Sequence, residues 1–450
     1  MITTSPLVGA PLGPTLFRLA VPGVIGALLF SMPGLVEAHF LKSSGADALA
    51  AVALVYPLII LSAMFSAGAI GGAVSGLTAR AVGAGDKAQA SSVLVCAVLI
   101  SLVGGVLMWA LVVQFGPLLY RYASGSATVV DAAQRYATLV FPAITAYWLV
   151  NMLCSVMRGS GDMVRPAYVA GILLASYSVL AWLIIPRDGA SLDAAMRAAA
   201  IAMVGSFGVA LAVSVWFITR RTQPIRFTLS AFHWDTLTRI LKQGLLAASQ
   251  SVMTITYAMV TTVLFSRFGT EWLAGFGLAV RLELIMVPVI FGIGASLIAI
   301  VGAYVGAGQR AKAVSIAWRG VLINAGLVGC IGLLLALFPG AWCGLVGSDD
   351  TVIEHCSASL RTIAPTYVFF ALGLGCYFGS QGLNTLKYPV IGALLRLATV
   401  ATGLFWVSST TDTDWVLYLV AAAVVVYGLF VTVALKLGPW GSRAVSSRGA

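Results

Sequence analysis

Four charged residues stand inside long apolar runs of this 450-residue chain: Glu37, Arg281, Glu283 and Arg396. A charge at the centre of a bilayer costs about 2.5–3.5 kcal/mol on insertion scales, so such residues usually face protein or water and mark paths for ions and polar solutes. Glu37 is the first candidate for chemistry. It lies five residues before Lys42, about 8 Å of helix from that polar flank, with Pro22 and Pro33 ahead of it on the same run. Each proline lacks an amide hydrogen and clashes with the preceding turn, so each can kink a helix. A carboxylate withdrawn from water favours its neutral form. A bending segment with one acid is therefore suited to take up a proton on one side and release it when the site rewets. The same carboxylate can help to hold Na⁺. Arg281 and Glu283 are two apart, so on a helix they point to different faces. Both fall roughly 14–16 Å from the start of their apolar run, near mid-bilayer. For these two, a role in an ion path and a role in fixing helix packing are equally open. Arg396 is expected to be structural or to snorkel towards a membrane surface.

Polar and aromatic side chains within other apolar runs are candidates to line a cavity. They are Tyr56, Trp148, Asn151, Tyr177, Gln250, Tyr257, Asn324, Tyr367 and Gln381. Aromatic faces attract organic cations, and a carboxylate adds charge complementarity. Any one of them can equally be an interhelical hydrogen bond or a packed ring. Enzyme chemistry finds no constellation here. The three histidines, His39, His233 and His355, are scattered, with no HExxH, nucleophile elbow or P-loop lysine. The glycines of Ala81–Asp86 recur between apolar runs in both halves and read as tight turns. No cofactor or metal is expected. The six cysteines, Cys96, Cys154, Cys330, Cys343, Cys356 and Cys376, form no CxxC pair. They read as small hydrophobes, with no disulfide framework.

The elements that must position these residues are membrane spans. The chain is 60% hydrophobic and 9% charged, with a mean hydropathy of +1.00, where soluble domains carry roughly 25% charged residues. Each spanning helix needs about 20 apolar residues. Apolar segments fall near 16–41, 48–78, 90–115, 133–157, 164–185, 195–219, 237–266, 272–301, 313–338, 356–380, 388–408 and 414–436. This predicts an all-α polytopic membrane protein of twelve transmembrane helices. The first twenty residues show no basic stretch followed by a cleavage site, so no signal peptide is expected.

An internal repeat divides the chain. Val82-Gly83-Ala84-Gly85 recurs as Val305-Gly306-Ala307-Gly308, an offset of 223. Pro142 and Pro365, Gly159 and Gly382, and Pro166 and Pro389 hold the same register. Gly45 with Leu49-Ala50 matches Gly269 with Leu273-Ala274 one position later. Two six-helix bundles, 1–222 and 223–450, are expected, joined through the polar stretch from Thr219 to Asp235. Six spans per half is even, so the pseudo-twofold axis runs along the membrane normal. With the N-terminus inside, 17 basic residues fall on inner loops and 7 on outer ones. That asymmetry follows the positive-inside rule and accounts for the net charge of +11 without nucleic acid. It predicts a multi-pass protein of the bacterial inner membrane with both termini cytoplasmic, taken as a monomer.

The ordered motifs resemble those of the multidrug and toxic compound extrusion (MATE) family across nearly the whole chain. Arg158-Gly159-Ser160-Gly161-Asp162 with Pro166 is similar to its pattern after span 4. Gly269 with Leu273-Ala274 is similar to its motif between spans 7 and 8. Arg281-Leu282-Glu283, then Val301-Gly302 and Val305-Gly306-Ala307-Gly308, resemble its span 8 and the following loop. Ala81 to Asp86 matches the first-half equivalent. The resemblance implies a secondary exporter of organic, often cationic or amphipathic compounds, exchanged for H⁺ or Na⁺ by alternating access. It also implies an ion-coupling acid in span 1, here Glu37. Where many members carry an acid in span 5, this chain has Tyr177-Ser178-Val179-Leu180-Ala181-Trp182. Glu37 and Glu283 are then the acids left within spans to couple an ion, expected to be H⁺. Two rival readings are a flippase for a lipid-linked molecule and an intramembrane enzyme. The first needs a long basic groove open to lipid, and the second needs clustered His or Asp near one membrane face.

Overall fold

The computed structural model describes residues 6–186, 191–220, 227–347, 349–406 and 413–441; the side chains of 229, 283–285 and 346 are not among those described. The Glu283 side chain and the centre of the predicted linker therefore fall outside what is described, as do both chain ends. Among the described residues, twelve helices are long and apolar enough to cross a membrane. They match the twelve predicted segments one for one. Spans 1 to 6 are Leu12–Ser44, Ala46–Gly83, Lys87–Ala123, Ala127–Gly159, Val164–Ile184 and Leu192–Thr219. Spans 7 to 12 are Trp234–Ser266, Thr270–Gly306, Arg310–Leu337, Asp350–Leu383, Lys387–Trp406 and Thr413–Leu437.

The breaks in these helices lie where the backbone chemistry puts them. Span 1 is interrupted between Leu12–Ser31 and Pro33–Leu41, because Pro33 cannot donate to the turn before it. Span 4 passes through a 3-10 turn at Phe141–Ala143, and span 10 through one at Ala364–Thr366. The prolines are Pro142 and Pro365, in the same repeat register. Span 2 contains a π-helical stretch, Met64–Ala69, a feature that recurs at functional sites. Left-handed backbone also repeats. Gly45 and Gly269 have φ of 97° and 103°, and Gly85 and Gly308 have 72° and 75°. The third pair is Gly161 at 84° and Asn384 at 59°. An asparagine replaces the second glycine there, because its short polar side chain tolerates this conformation.

Burial follows the repeat. One apolar core runs from Leu41 to Ile240. The other is built mainly from residues 247 to 440, with Leu16 and Leu19 of span 1 joined to it. The two six-helix bundles meet at spans 2 and 8 through a symmetric contact. Gly83 packs on the carbonyl of Ala303, and Gly306 packs on the carbonyl of Arg80, closely enough that neither site has room for a Cβ. Residue 80 plus 223 is 303, and 83 plus 223 is 306, so the pseudo-twofold axis passes between these turns. Small residues allow such approach in membrane helices. Higher on span 8, Gly292 lies against span 1, and a Cβ on Gly23 would sit 2.9 Å from its carbonyl oxygen.

Polar contacts reinforce the same end of the interface. Arg80 donates through Nη1 to the carbonyls of Gln381 (3.1 Å) and Gly382 (2.8 Å), and through Nη2 to Gln243 Oε1 (3.3 Å). Gln381 Nε2 donates to the carbonyl of Gly68 at 3.3 Å. Gln381 thus bridges the bundles.

One expectation is corrected. Cys343 and Cys356 form a disulfide across 13 residues. The short helix Gly340–Val346 turns back on the start of span 10 and brings them together, which no CxxC spacing announces.

Candidate coupling site and cavity

Glu37 lies on Pro33–Leu41, the segment beyond the break in span 1, and is fully buried. Tyr136 of span 4 donates its hydroxyl hydrogen to Glu37 Oε1 at 2.5 Å. Tyr177 of span 5 and Tyr56 of span 2 lie within electrostatic range of the same carboxylate. The Tyr56 ring covers Gly34, one residue past the proline, where a Cβ would collide with it. Glu37 Oε2 and the Tyr177 hydroxyl are both buried without a hydrogen-bond partner of good geometry. Four spans thus enclose one carboxylate with three phenols and, among the described residues, no basic partner. Burying a charge without a counter-charge is costly, and binding one proton removes that cost. Glu37, expected as a coupling acid, thus lies beside Tyr56 and Tyr177, which were expected as cavity residues. Tyr136, its nearest partner, was absent from the expected set, although it is an aromatic on the apolar face of an amphipathic stretch.

Trp148 and Asn151 sit one turn apart on span 4 and point into the first bundle. Trp148 Nε1 donates to Ser62 Oγ at 2.7 Å, and Asn151 Nδ2 donates to Ser66 Oγ at 2.9 Å. Both bonds hold the π-helical region of span 2, so these polar atoms are engaged within the bundle.

The second bundle holds a different cluster. Arg396 of span 11 is only 6% exposed. Its Cζ stands 3.7 Å from the centroid of the Tyr257 ring, with Phe370 at 5.2 Å and Tyr427 at 6.0 Å. Gln250 Nε2 donates to the Tyr427 hydroxyl at 3.0 Å. Gln250 and Tyr257, both cavity candidates, thus lie in one cluster around Arg396 and Tyr427. Arg396, expected to be structural or to snorkel, is packed inside the second bundle among these rings. Tyr367 is buried at the start of the second half of span 10, against Gly332 of span 9.

Arg281 also departs from expectation. It opens onto a pocket of about 370 Å³ with Gly347, Asp349 and Val352, at the start of span 10. Span 8 has 37 residues, about 55 Å at 1.5 Å per residue. Arg281 is the twelfth of these residues, so it lies off the centre of the span, nearer its Thr270 end.

Comparison with known proteins agrees with this architecture. The MatE family model matches residues 22–184 and again 247–407, once in each bundle. Over 386 residues the chain is 22% identical to a probable multidrug resistance protein NorM of Thermotoga maritima, covering 85% of this chain and 83% of that protein. Over 398 residues it is 24% identical to an FAD transporter of Shewanella oneidensis, covering 87% and 84%. A solved outward-facing conformation of a multidrug resistance MATE family transporter has a TM-score of 0.84 at 21% identity, covering 99% of this chain and 98% of that one. Twelve apolar spans, a twofold repeat and a family match over both halves lead to one conclusion: this chain belongs to the MatE family of membrane transporters, and it is not an enzyme.

Proposed function

We propose that the protein is a proton-driven exporter of amphipathic organic compounds, with Glu37 as the group that takes up and releases the coupling proton. The observation that carries this reading is the position of Glu37. It is fully buried, bonded to Tyr136, and mounted just past the Pro33 break in a span whose first half packs on the other bundle. Protonation removes a buried charge and lets the segment settle among the phenols. Deprotonation requires the segment to move towards water. Because Leu16, Leu19 and Gly23 of the same span contact the second bundle, that movement is coupled to the angle between the bundles. The proton is preferred to Na⁺ because Tyr136 already offers a hydroxyl hydrogen to the carboxylate, whereas a metal ion needs converging oxygen acceptors. Glu283 is retained as a second candidate for coupling, by its position on span 8.

The two bundles, 1–222 and 223–450, are proposed to act as the moving bodies of one monomer in the bacterial inner membrane. With both termini cytoplasmic, Arg80, Gly83 and Gly306 lie at the cytoplasmic side. Their contacts then close that side, as an outward-facing conformation requires. The Cys343–Cys356 disulfide falls on the outer side in this orientation, where oxidising conditions keep such bonds. Relatives range from multidrug resistance proteins to an FAD transporter, so neither a cationic nor an anionic substrate follows from kinship. The test is export from inside-out vesicles with pH and Na⁺ gradients imposed separately. Export should follow the pH gradient in the wild type and be lost in Glu37→Gln. Export that followed only Na⁺, or that survived Glu37→Gln with normal coupling, would remove the proposed mechanism.

A further inference from the structure

The guanidinium of Arg396 poses a problem that the coupling mechanism does not touch. It is buried near the middle of span 11, nine residues from Lys387, or about 14 Å of helix. Among the described residues no carboxylate pairs with it, since the ion pairs lie at Asp193, Asp162 and Asp235. Its Nε is buried without a hydrogen-bond acceptor. The Tyr257 face, at 3.7 Å, compensates part of its charge, and such contacts contribute about 0.5–2 kcal/mol. That contact leaves the planar N–H fork, the part that recognises carboxylate and phosphate, without an anion. A second unsatisfied atom lies in the same cluster: Gln250 Oε1 is buried and unbonded. The two ends of an amide are interchangeable. If Tyr427 donates to Gln250 Oε1, the Gln250 amide nitrogen is free to donate beside Arg396.

We propose that Arg396, framed by Tyr257, Phe370 and Tyr427 and assisted by Gln250, is an anion-recognition subsite of the second bundle, taking amphipathic substrates that join a carboxylate or phosphate to a planar aromatic ring. The fork supplies the bidentate contact to the acidic group. The rings supply stacking surface for the rest of the molecule. The subsite also answers why an unpaired charge is kept in the membrane, where a removable charge is selected against. It rests on the reading of the protein as an exporter but not on the proton as its driving ion.

The test is equilibrium binding to the purified full-length protein in phosphatidylcholine vesicles, with fluorescein as the aromatic anion and ethidium as the aromatic cation. Wild type should bind fluorescein, and Arg396→Gln should weaken it about tenfold to a hundredfold, the range expected for hydrogen bonds to a charged group. Ethidium binding should not weaken. Arg396→Lys, which keeps charge but not the fork, should fall between. If Arg396→Gln does not fold, Tyr257→Leu serves in its place, and it should weaken fluorescein more than Tyr257→Phe does. Wild type that binds no fluorescein, or binds it equally well without Arg396, would overturn the proposal. So would complete displacement of fluorescein by added phosphatidylglycerol, which would make a lipid headgroup the natural occupant. No gradient is imposed, so failure of proton coupling leaves this binding result standing. Wild-type protein that exports ethidium on a pH gradient but binds no fluorescein sinks this proposal alone.

Discussion

The two bundles share a register to within a residue and differ in what they bury. The first surrounds an acid on span 1 with hydroxyls from spans 2, 4 and 5. The second surrounds a guanidinium on span 11 with rings from spans 7, 10 and 12. At the offset of 224 that holds for the start of the repeat Glu37 maps to Thr261, and Arg396 minus 223 is Leu173, so neither charge has a counterpart in the other half. Repeat symmetry is thus retained where backbones touch, at Gly83 and Gly306, and abandoned where side chains meet the interior. Close packing tolerates no extra Cβ, so both copies keep glycine. A cavity needs its two walls to differ if one binds an ion and the other binds a solute.

The comparison breaks most sharply in crossed substitutions. Glu37→Gln should reduce gradient-driven export to background, while fluorescein binding stays within about twofold of wild type, inside the usual scatter for sites without shared partners. Arg396→Gln should show the converse, with anion binding weakened about tenfold to a hundredfold and pH-driven ethidium export intact. Export and binding normalised to folded protein check both arms, and a variant that lost both activities together would join the two walls into one site.

A smaller but still large effect is expected at the shared contact. Gly83→Leu places a side chain where the Ala303 carbonyl lies, and Gly306→Leu does the same to the Arg80 carbonyl. Each should prevent the bundles from closing at this end and slow export by about tenfold or more, as steric misfits of 1–3 kcal/mol do. The symmetry requires the two variants to match. Accessibility of a cysteine placed at Ala84 to a water-soluble thiol reagent, which should rise in both, reports the opening.

Within the first bundle the phenols should rank by geometry. Tyr136→Phe removes a donor to Glu37 and should lower the coupled rate about tenfold, in line with 1.5 kcal/mol for a hydrogen bond to a charged group. Tyr177→Phe should cost less, since its hydroxyl has no partner of good geometry. Initial export rates at a fixed pH gradient measure the order, and a reversed order would move the proton to another oxygen.

The smallest effect on transport is expected from the disulfide. Replacing Cys343 and Cys356 by serine should leave export within about twofold and lower stability by about 2–3 kcal/mol, as for a loop of this length. Thermal unfolding measures the loss. Labelling of the reduced pair by a membrane-impermeant thiol reagent from outside checks the side on which it lies.

Much of the architecture is legible in the residues alone. Long apolar runs must cross a bilayer, because a soluble surface cannot cover them. The offset of 223 then suggests the two halves. Pro22 and Pro33 mark two places where span 1 can kink, of which the helix is interrupted at Pro33 and runs through Pro22. Glu37 stands out for the same reason, since a lone acid in an apolar run has few roles. What meets Glu37 and Arg396 is another matter. Tyr136 lies 99 residues from Glu37, and nothing in its local pattern separates it from a packed ring. Arg396 was visible as a charge expected to be structural or to snorkel, but only the approach of spans 7, 10 and 12 shows which rings surround it. Arg281 opens onto a pocket with Asp349, a neighbour that spacing along its own apolar run does not show. The pairing of Cys343 with Cys356 awaited the hairpin between spans 9 and 10. Hydrophobic length and repeat register are properties of the chain in one dimension and can be counted. Which side chains face each other depends on the rotation and tilt of packed helices, and that is decided only by the tertiary fold.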